Sequence, residues 1–232
     1  MPLKKSSGNM YPWLSHMHSH LAGECIHRCK YCYAQRSPRY HGPLRIIEGE
    51  FRVDYGEGKT IFIEHMQDLW ASNVTSIVIE TVLAHCVEYP KNTYVFQTKN
   101  PARYLEYIGT DLEYLFPESS ILGVTIETNR DIPDVSFAPK PADRFLAMKM
   151  LKRRFPFFVT IEPVLDFDPE ILASWIGTLS PKFINLGADS KGHNLPEPPI
   201  EKIEQLVELL KGYNIDLREK HNLQRLRKLK GG

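Results

Sequence analysis

From Thr60 onward, short β-branched or aromatic runs alternate with longer stretches of helical period. Strands separated by helices cannot close as hairpins, so the alternation points to repeated β-α units and a parallel sheet rather than a sandwich. The fold class read from this pattern is α/β. Six strands are expected, at Ser15 to Leu21, Thr60 to Glu64, Tyr94 to Thr98, Ile121 to Ile126, Phe157 to Ile161 and Phe183 to Leu186. Helices are expected at Tyr33 to Ser37, Val74 to Glu88, Pro101 to Tyr107, Pro141 to Arg154, Pro169 to Leu179 and Pro199 to Lys211, several opened by a proline suited to a first helical turn. His41 to Lys59, charged and glycine-containing, reads as a long excursion.

With 232 residues the chain can build one sizeable core, and α/β barrels of this size are commonly single. We expect one domain over 1–212 and a basic C-terminal tail over 213–232 carrying Arg218, Lys220, Arg225, Arg227, Lys228 and Lys230. Hydrophobic residues at 42% and charged ones at 25% exclude a disordered chain. No apolar run is long enough to span a bilayer and no signal-peptide stretch follows the N-terminus, so a cytoplasmic protein with no membrane partner is expected. A net charge of +1 argues against a protein that coats nucleic acid, though not against a local basic groove.

In β/α barrels the reacting groups sit at the C-terminal ends of the strands. Polar residues recur there: Glu64, His65 and Asp68; Gln97, Thr98 and Lys99; Thr125 and Glu127; Glu162; Asp189. Any one of them is ordinarily a cap or a solvated turn; five strand ends in succession suggest a shared cavity.

Three of the four cysteines stand together as Cys25, Cys29 and Cys32. This crowding is poorly arranged for disulfides and suits a reducing compartment, where thiolates remain available to metal. Three thiolates on one loop can hold three corners of a cubane iron–sulfur cluster, whereas structural zinc sites and ordinary clusters take four protein ligands. One iron would stay open. A competing reading is a non-catalytic zinc protein in which His27 or one of the alternating His16, His18 and His20 completes the site. Another is a nucleic-acid-binding module stabilised by a structural cluster.

Cys-x-x-x-Cys-x-x-Cys with an aromatic residue, Tyr31, before its last cysteine resembles the cluster loop of the radical S-adenosylmethionine (SAM) superfamily. The resemblance implies a partial (β/α)6 barrel and a 4Fe-4S cluster on Cys25, Cys29 and Cys32 whose open iron is chelated by SAM. It further implies reductive cleavage of SAM to a 5'-deoxyadenosyl radical, hydrogen abstraction from a substrate, and an external one-electron reductant such as flavodoxin or ferredoxin. Tyr31 would pack near the adenine, while Glu64, His65, Lys99, Thr125, Glu127 and Glu162 would bind SAM or line its cavity. The usual Gly-Gly-Glu after the second strand is replaced by Ile63-Glu64-His65-Met66.

The motifs Phe96-Gln97-Thr98-Lys99-Asn100-Pro101, Gly123-Val124-Thr125-Ile126-Glu127-Thr128-Asn129 and Thr160-Ile161-Glu162-Pro163-Val164-Leu165 are similar to a phage-associated and prokaryotic branch of unassigned activity, distantly related to spore photoproduct lyase. That likeness, with the basic tail, favours nucleic acid or a nucleotide as substrate. It also makes Cys86, in a helical stretch, a candidate hydrogen donor. The alternating His16, His18 and His20 would share one strand face and line the barrel interior below the cluster.

Overall fold

A computed structural model describes residues 3–7, 10–151 and 153–228. Its strands in chain order are β1 (Lys4–Lys5), β2 (His16–His18), β3 (Leu21–Ala22), β4 (Arg45–Ile46), β5 (Thr60–Ile63), β6 (Thr93–Thr98), β7 (Ser120–Thr125), β8 (Phe157–Ile161), β9 (Phe183–Leu186) and β10 (Asp216–Glu219). Strands β3 and β4 form a small antiparallel pair, and the other eight make one sheet in the order β1-β2-β5-β6-β7-β8-β9-β10. Apart from β1, which runs antiparallel to β2, that sheet is parallel.

The parallel strands lie side by side in the order of the sequence. Each crossover therefore steps in the same direction, and a constant right-handed sense places the connecting elements on one face. The helices are α1 (Ser76–Val87), α2 (Pro141–Met150), α3 (Pro169–Leu179), α4 (Ile200–Lys211) and the short α5 (Gln224–Lys228). Among the described residues no pairing joins β1 to β10, so this is the partial barrel rather than a closed one.

Side chains alternate across the sheet with the period of two that a strand imposes. On the helix side Ile61, Ile63, Tyr94, Phe96, Leu122, Val124, Val159, Ile161, Ile184 and Leu186 join the main core. On the inner side Met17, Phe62, Val95, Phe158 and Phe183 form a second cluster with Tyr11 and Leu14. The N-terminal segment thus fills the lower part of the concavity, Tyr11 stacking on Trp13 with centroids 5.4 Å apart and Trp13 meeting Phe158 and Phe183 edge-on.

The buried strands β8 and β9 have the expected bounds; elsewhere the ends differ. Pairing of β5 stops before Glu64, whose φ of +58° leaves the extended region. The first strand, expected to reach Leu21, ends at His18, and Leu21 turns away to pair with Ile46. The sheet has eight strands rather than six because β1 and β10 are polar, partly exposed edge strands without an apolar run. The expected helices at Tyr33 to Ser37 and Pro101 to Tyr107 are 3-10 segments, Tyr33–Arg36 and Pro101–Glu106, and α2 ends at Met150 rather than Arg154.

Within the segment read as a basic tail, β10 pairs with β9, while Leu223 and Leu226 are buried. Arg225 pairs with Glu197 and Arg227 with Glu219; Lys230 lies outside the described residues. No helix among the described residues is long and apolar enough to cross a membrane.

Candidate functional site at the C-terminal rim

The cysteine loop follows β2 and β3, at the rim where the parallel strands end. Gly23 enters it with a φ of +102°, its amide bonded to Arg39 O at 2.7 Å. From the far side of the rim, Lys30 N bonds to Val135 O at 2.9 Å and Phe137 N to His27 O at 2.7 Å. Cys29 is buried with its sulfur 3.0 Å from Ser136 Oγ, while Cys25 and Cys32 are partly exposed. Burial pushes the Cys25 thiol up to about 12, helped by the charge of Asp68, and burial also raises Cys32.

Tyr31, between the last two cysteines, ties this loop to the ends of β6 and β7. Its hydroxyl donates to Glu127, the Lys99 ammonium donates to the same carboxylate, and Lys99 also sits 5.0 Å from the Tyr31 ring centroid. Arg144 reaches in from α2, its Nη1 2.6 Å from Glu127 Oε2 and 3.0 Å from Thr125 O, with Nε 2.6 Å from Pro139 O. Burial alone would push the Glu127 carboxyl up; Arg144 and Lys99 more than offset it and hold the group well below the usual carboxylate range. One tier lower, Gln97 donates to Thr125 Oγ1 at 3.0 Å and accepts from the Tyr11 hydroxyl at 2.9 Å.

Glu64 is engaged elsewhere. Its Oε1 accepts from His20 N and faces His20 Nδ1, both at 2.7 Å, and its Oε2 accepts from Leu21 N at 3.2 Å. His20 Nε2 lies 2.9 Å from both His85 Nδ1 and the Tyr55 hydroxyl, which makes a buried chain on the helix side of the sheet. The alternating histidines therefore do not line the interior. Met17 takes the inward position, His18 packs against His20 and Tyr55, and His16 bonds to Ser15 Oγ. His65 faces Ser19 Oγ at 2.9 Å, and burial lowers its imidazole to about 4.

On the other flank Glu162 accepts from Lys220 Nζ and from Asn222 Nδ2, each at 2.8 Å. A Cβ at Gly187 would stand 2.9 Å from Glu162 Cδ, so a larger residue there would have to displace that carboxylate. Segment 213–228 thus supplies a wall of the rim. Arg144, Lys220 and Asn222 were not among the site candidates of the sequence reading: α2 carries no strand-end position, and β10, whose end Lys220 follows, has no apolar run to mark it as a strand. The loop position of Tyr31 and the strand-end positions of Lys99, Thr125 and Glu127 did mark theirs.

His27, weighed as a zinc ligand, gives its Nε2 to Asp68 Oδ2 at 2.9 Å, a carboxylate that also accepts from Thr98 Oγ1 and Lys99 N. Among the described residues no three His, Cys, Asp or Glu groups are drawn together as they would be around a single ion. Three thiols on one loop are a soft donor set, of the kind that iron–sulfur clusters take. Cys86 is fully buried in the main core, on the helix side; burial and, after it, Glu64 push its thiol well above the ordinary range.

No protein-family model matches this chain, and no curated protein matches it. Solved structures do. A spore photoproduct lyase variant with one cysteine changed to alanine superposes with a TM-score of 0.66 at 10% identity, covering 94% of this chain and 80% of that one. A double variant of that lyase with bound AdoMet and dinucleoside spore photoproduct gives 0.61 at 10% identity, with the same coverage. The lyase complexed with dinucleoside spore photoproduct gives 0.62 at 10%, covering 91% and 78%. At such identity the likeness shows the fold, and the fold is the partial barrel that the resemblance implied.

Proposed function

We propose that this chain is a radical SAM enzyme that acts on nucleic acid or a nucleotide. The observation that carries the reading is the junction at Tyr31: the three-cysteine loop is bonded directly to the charged rim of a partial barrel through the Tyr31–Glu127 hydrogen bond. Cys25, Cys29 and Cys32 would hold a 4Fe-4S cluster. When bound, such a cluster supplies the electron for reductive cleavage of SAM.

The chain's own residues bind, orient and exclude water. Arg144 and Lys99 keep Glu127 ionised beside the loop, so the rim offers fixed charges of both signs to a zwitterionic ligand. Tyr31 packs near the adenine, and Thr125 and Glu162 line the cavity, while on the β5 side Glu64 points back to His20 rather than into it and His65 faces Ser19. Glu64 acts there through the backbone it fixes at His20 and Leu21. Tyr11 and Trp13 close the lower end and Lys220 with Asn222 closes one flank, which shields reactive species from solvent. Cys86, packed on the helix side, stays a core residue in this reading.

The test is oxygen-free reconstitution with iron and sulfide, followed by visible and electron paramagnetic resonance spectroscopy. SAM and dithionite are then added and 5'-deoxyadenosine is quantified. We expect a brown protein whose cluster signal shifts on adding SAM, and 5'-deoxyadenosine that disappears in Cys29→Ala. A colourless zinc protein, or a cluster that yields no 5'-deoxyadenosine, overturns the reading. Ultraviolet-irradiated oligonucleotide should raise product formation above the substrate-free level; no rise with it or with free nucleotides removes the substrate assignment.

A further inference from the structure

The three cysteine sulfurs have different surroundings. Backbone amides face two of them, those of His27 and Asp68 at Cys25 and those of Ala34 and Gln35 at Cys32. Cys29 meets a side chain from a distant segment: Ser136, in the connection between β7 and α2, places its Oγ 3.0 Å from the Cys29 sulfur. Bonds on either side hold Ser136 there, Lys30 N to Val135 O at 2.9 Å and Phe137 N to His27 O at 2.7 Å, and Val135 is buried. Ser136 Oγ also accepts from Ala138 N at 3.1 Å and lies 3.3 Å from His27 O. Cys29 is equally fixed, since Gln35 Nε2 and Cys32 N bond to its carbonyl at 2.9 and 3.0 Å.

We propose that Ser136 tunes the iron–sulfur group through Cys29, its hydroxyl donating to the cysteine sulfur and raising the reduction potential, an inference that rests on the iron–sulfur reading above. A cysteine binds iron as the thiolate, which has no proton to give, so in this contact the hydroxyl is the donor. Ser136 Oγ already accepts from Ala138 N, which leaves its one hydrogen for an acceptor. Of the two acceptors in reach, His27 O is neutral and the Cys29 sulfur carries charge, and a bond to the charged group is the stronger. Reduction adds one negative charge to the group. A donor at one of its sulfurs offsets that charge and favours the reduced form, which is how hydrogen bonds to sulfur set such potentials. The electron comes from the external reductant; no proton moves and no covalent bond forms or breaks at Ser136. Ser136 is thus a positioning residue that acts through Cys29 rather than on a reacting atom.

The experiment is an oxygen-free redox titration of the reconstituted protein with dithionite and mediators, the reduced signal being followed by electron paramagnetic resonance. It compares the unmodified chain with Ser136→Ala, Ser136→Val and Ser136→Thr. Threonine keeps the hydroxyl and valine matches its shape without one, so this pair separates hydrogen bonding from packing. In Ser136→Ala and Ser136→Val we expect the reduced form to be disfavoured about tenfold, a midpoint ~59 mV more negative for a one-electron couple. Iron and sulfide content should be unchanged, and Ser136→Thr should restore the midpoint of the unmodified chain. Equal shifts in Ser136→Val and Ser136→Thr overturn the proposal, as does a loss of iron or of thermal stability at unchanged midpoint, the mark of a merely structural serine. An unmodified chain that takes up no cluster overturns the underlying reading and this inference with it. A cluster whose midpoint is indifferent to the Ser136 hydroxyl overturns the inference alone.

Discussion

At the scale of single residues, the rim is governed by one buried carboxylate and the cations that reach it. Glu127 and Arg144 each have side chains only 3% exposed, so neither charge is stabilised by water and each depends on the other. Removing one partner of such a pair costs about 3–5 kcal/mol, because the survivor is left buried and uncompensated. Arg144→Met should lose less than that, about 1.5–3 kcal/mol in urea unfolding, because Lys99 and Tyr31 still serve Glu127 while the carbonyls of Thr125 and Pro139 lose their donor. Adding Glu127→Gln to it should cost much less than the sum of the two single changes, since both report on one interaction. Additive costs would mean that the pair is not coupled.

At the scale of elements, the cysteine loop depends on a crossing of two chain segments rather than on a regular helix or strand. Glu24 N bonds to Gly42 O at 2.8 Å, and a Cβ on Gly23 would lie 2.2 Å from Pro43 O and 2.7 Å from Leu44 Cα, all backbone that cannot step aside. Gly23→Ala combines this clash with a φ of +102° that an L side chain avoids. We expect it to destabilise the loop by about 2–3 kcal/mol or more and to cut iron uptake on reconstitution several-fold. The far-ultraviolet circular dichroism should stay close to that of the unmodified protein, because α1 to α4 pack elsewhere. Undiminished iron uptake would show that the crossing does not shape the loop.

At the scale of the whole molecule, stability should be unevenly spread. Strands β5 to β9 are sandwiched between the two hydrophobic clusters, whereas residues 23–47 rest on 3-10 turns and two-residue strands. Hydrogen–deuterium exchange of the metal-free protein should find the slowest amides in β6 to β9 and fast ones in 23–47, and iron–sulfur loading should slow the latter selectively. Uniform exchange would contradict this division. The same division governs what could be read from the chain. The period of β-branched runs and helices determined the parallel sheet, and β8 and β9, with apolar residues on both faces, came out to the residue. Cysteine spacing and strand-end polarity put Tyr31, Lys99, Thr125 and Glu127 at one rim, where the structure brings them together, because those cues are local. Local pattern does not record which distant segments meet. That Met17 rather than the histidines faces inward, that Glu64 turns back to His20, and that Arg144 from α2 and Lys220 from the terminal strand complete the rim were decided by packing across separations of many residues. There each buried charge had to find whichever partner the curved, open sheet brought within reach.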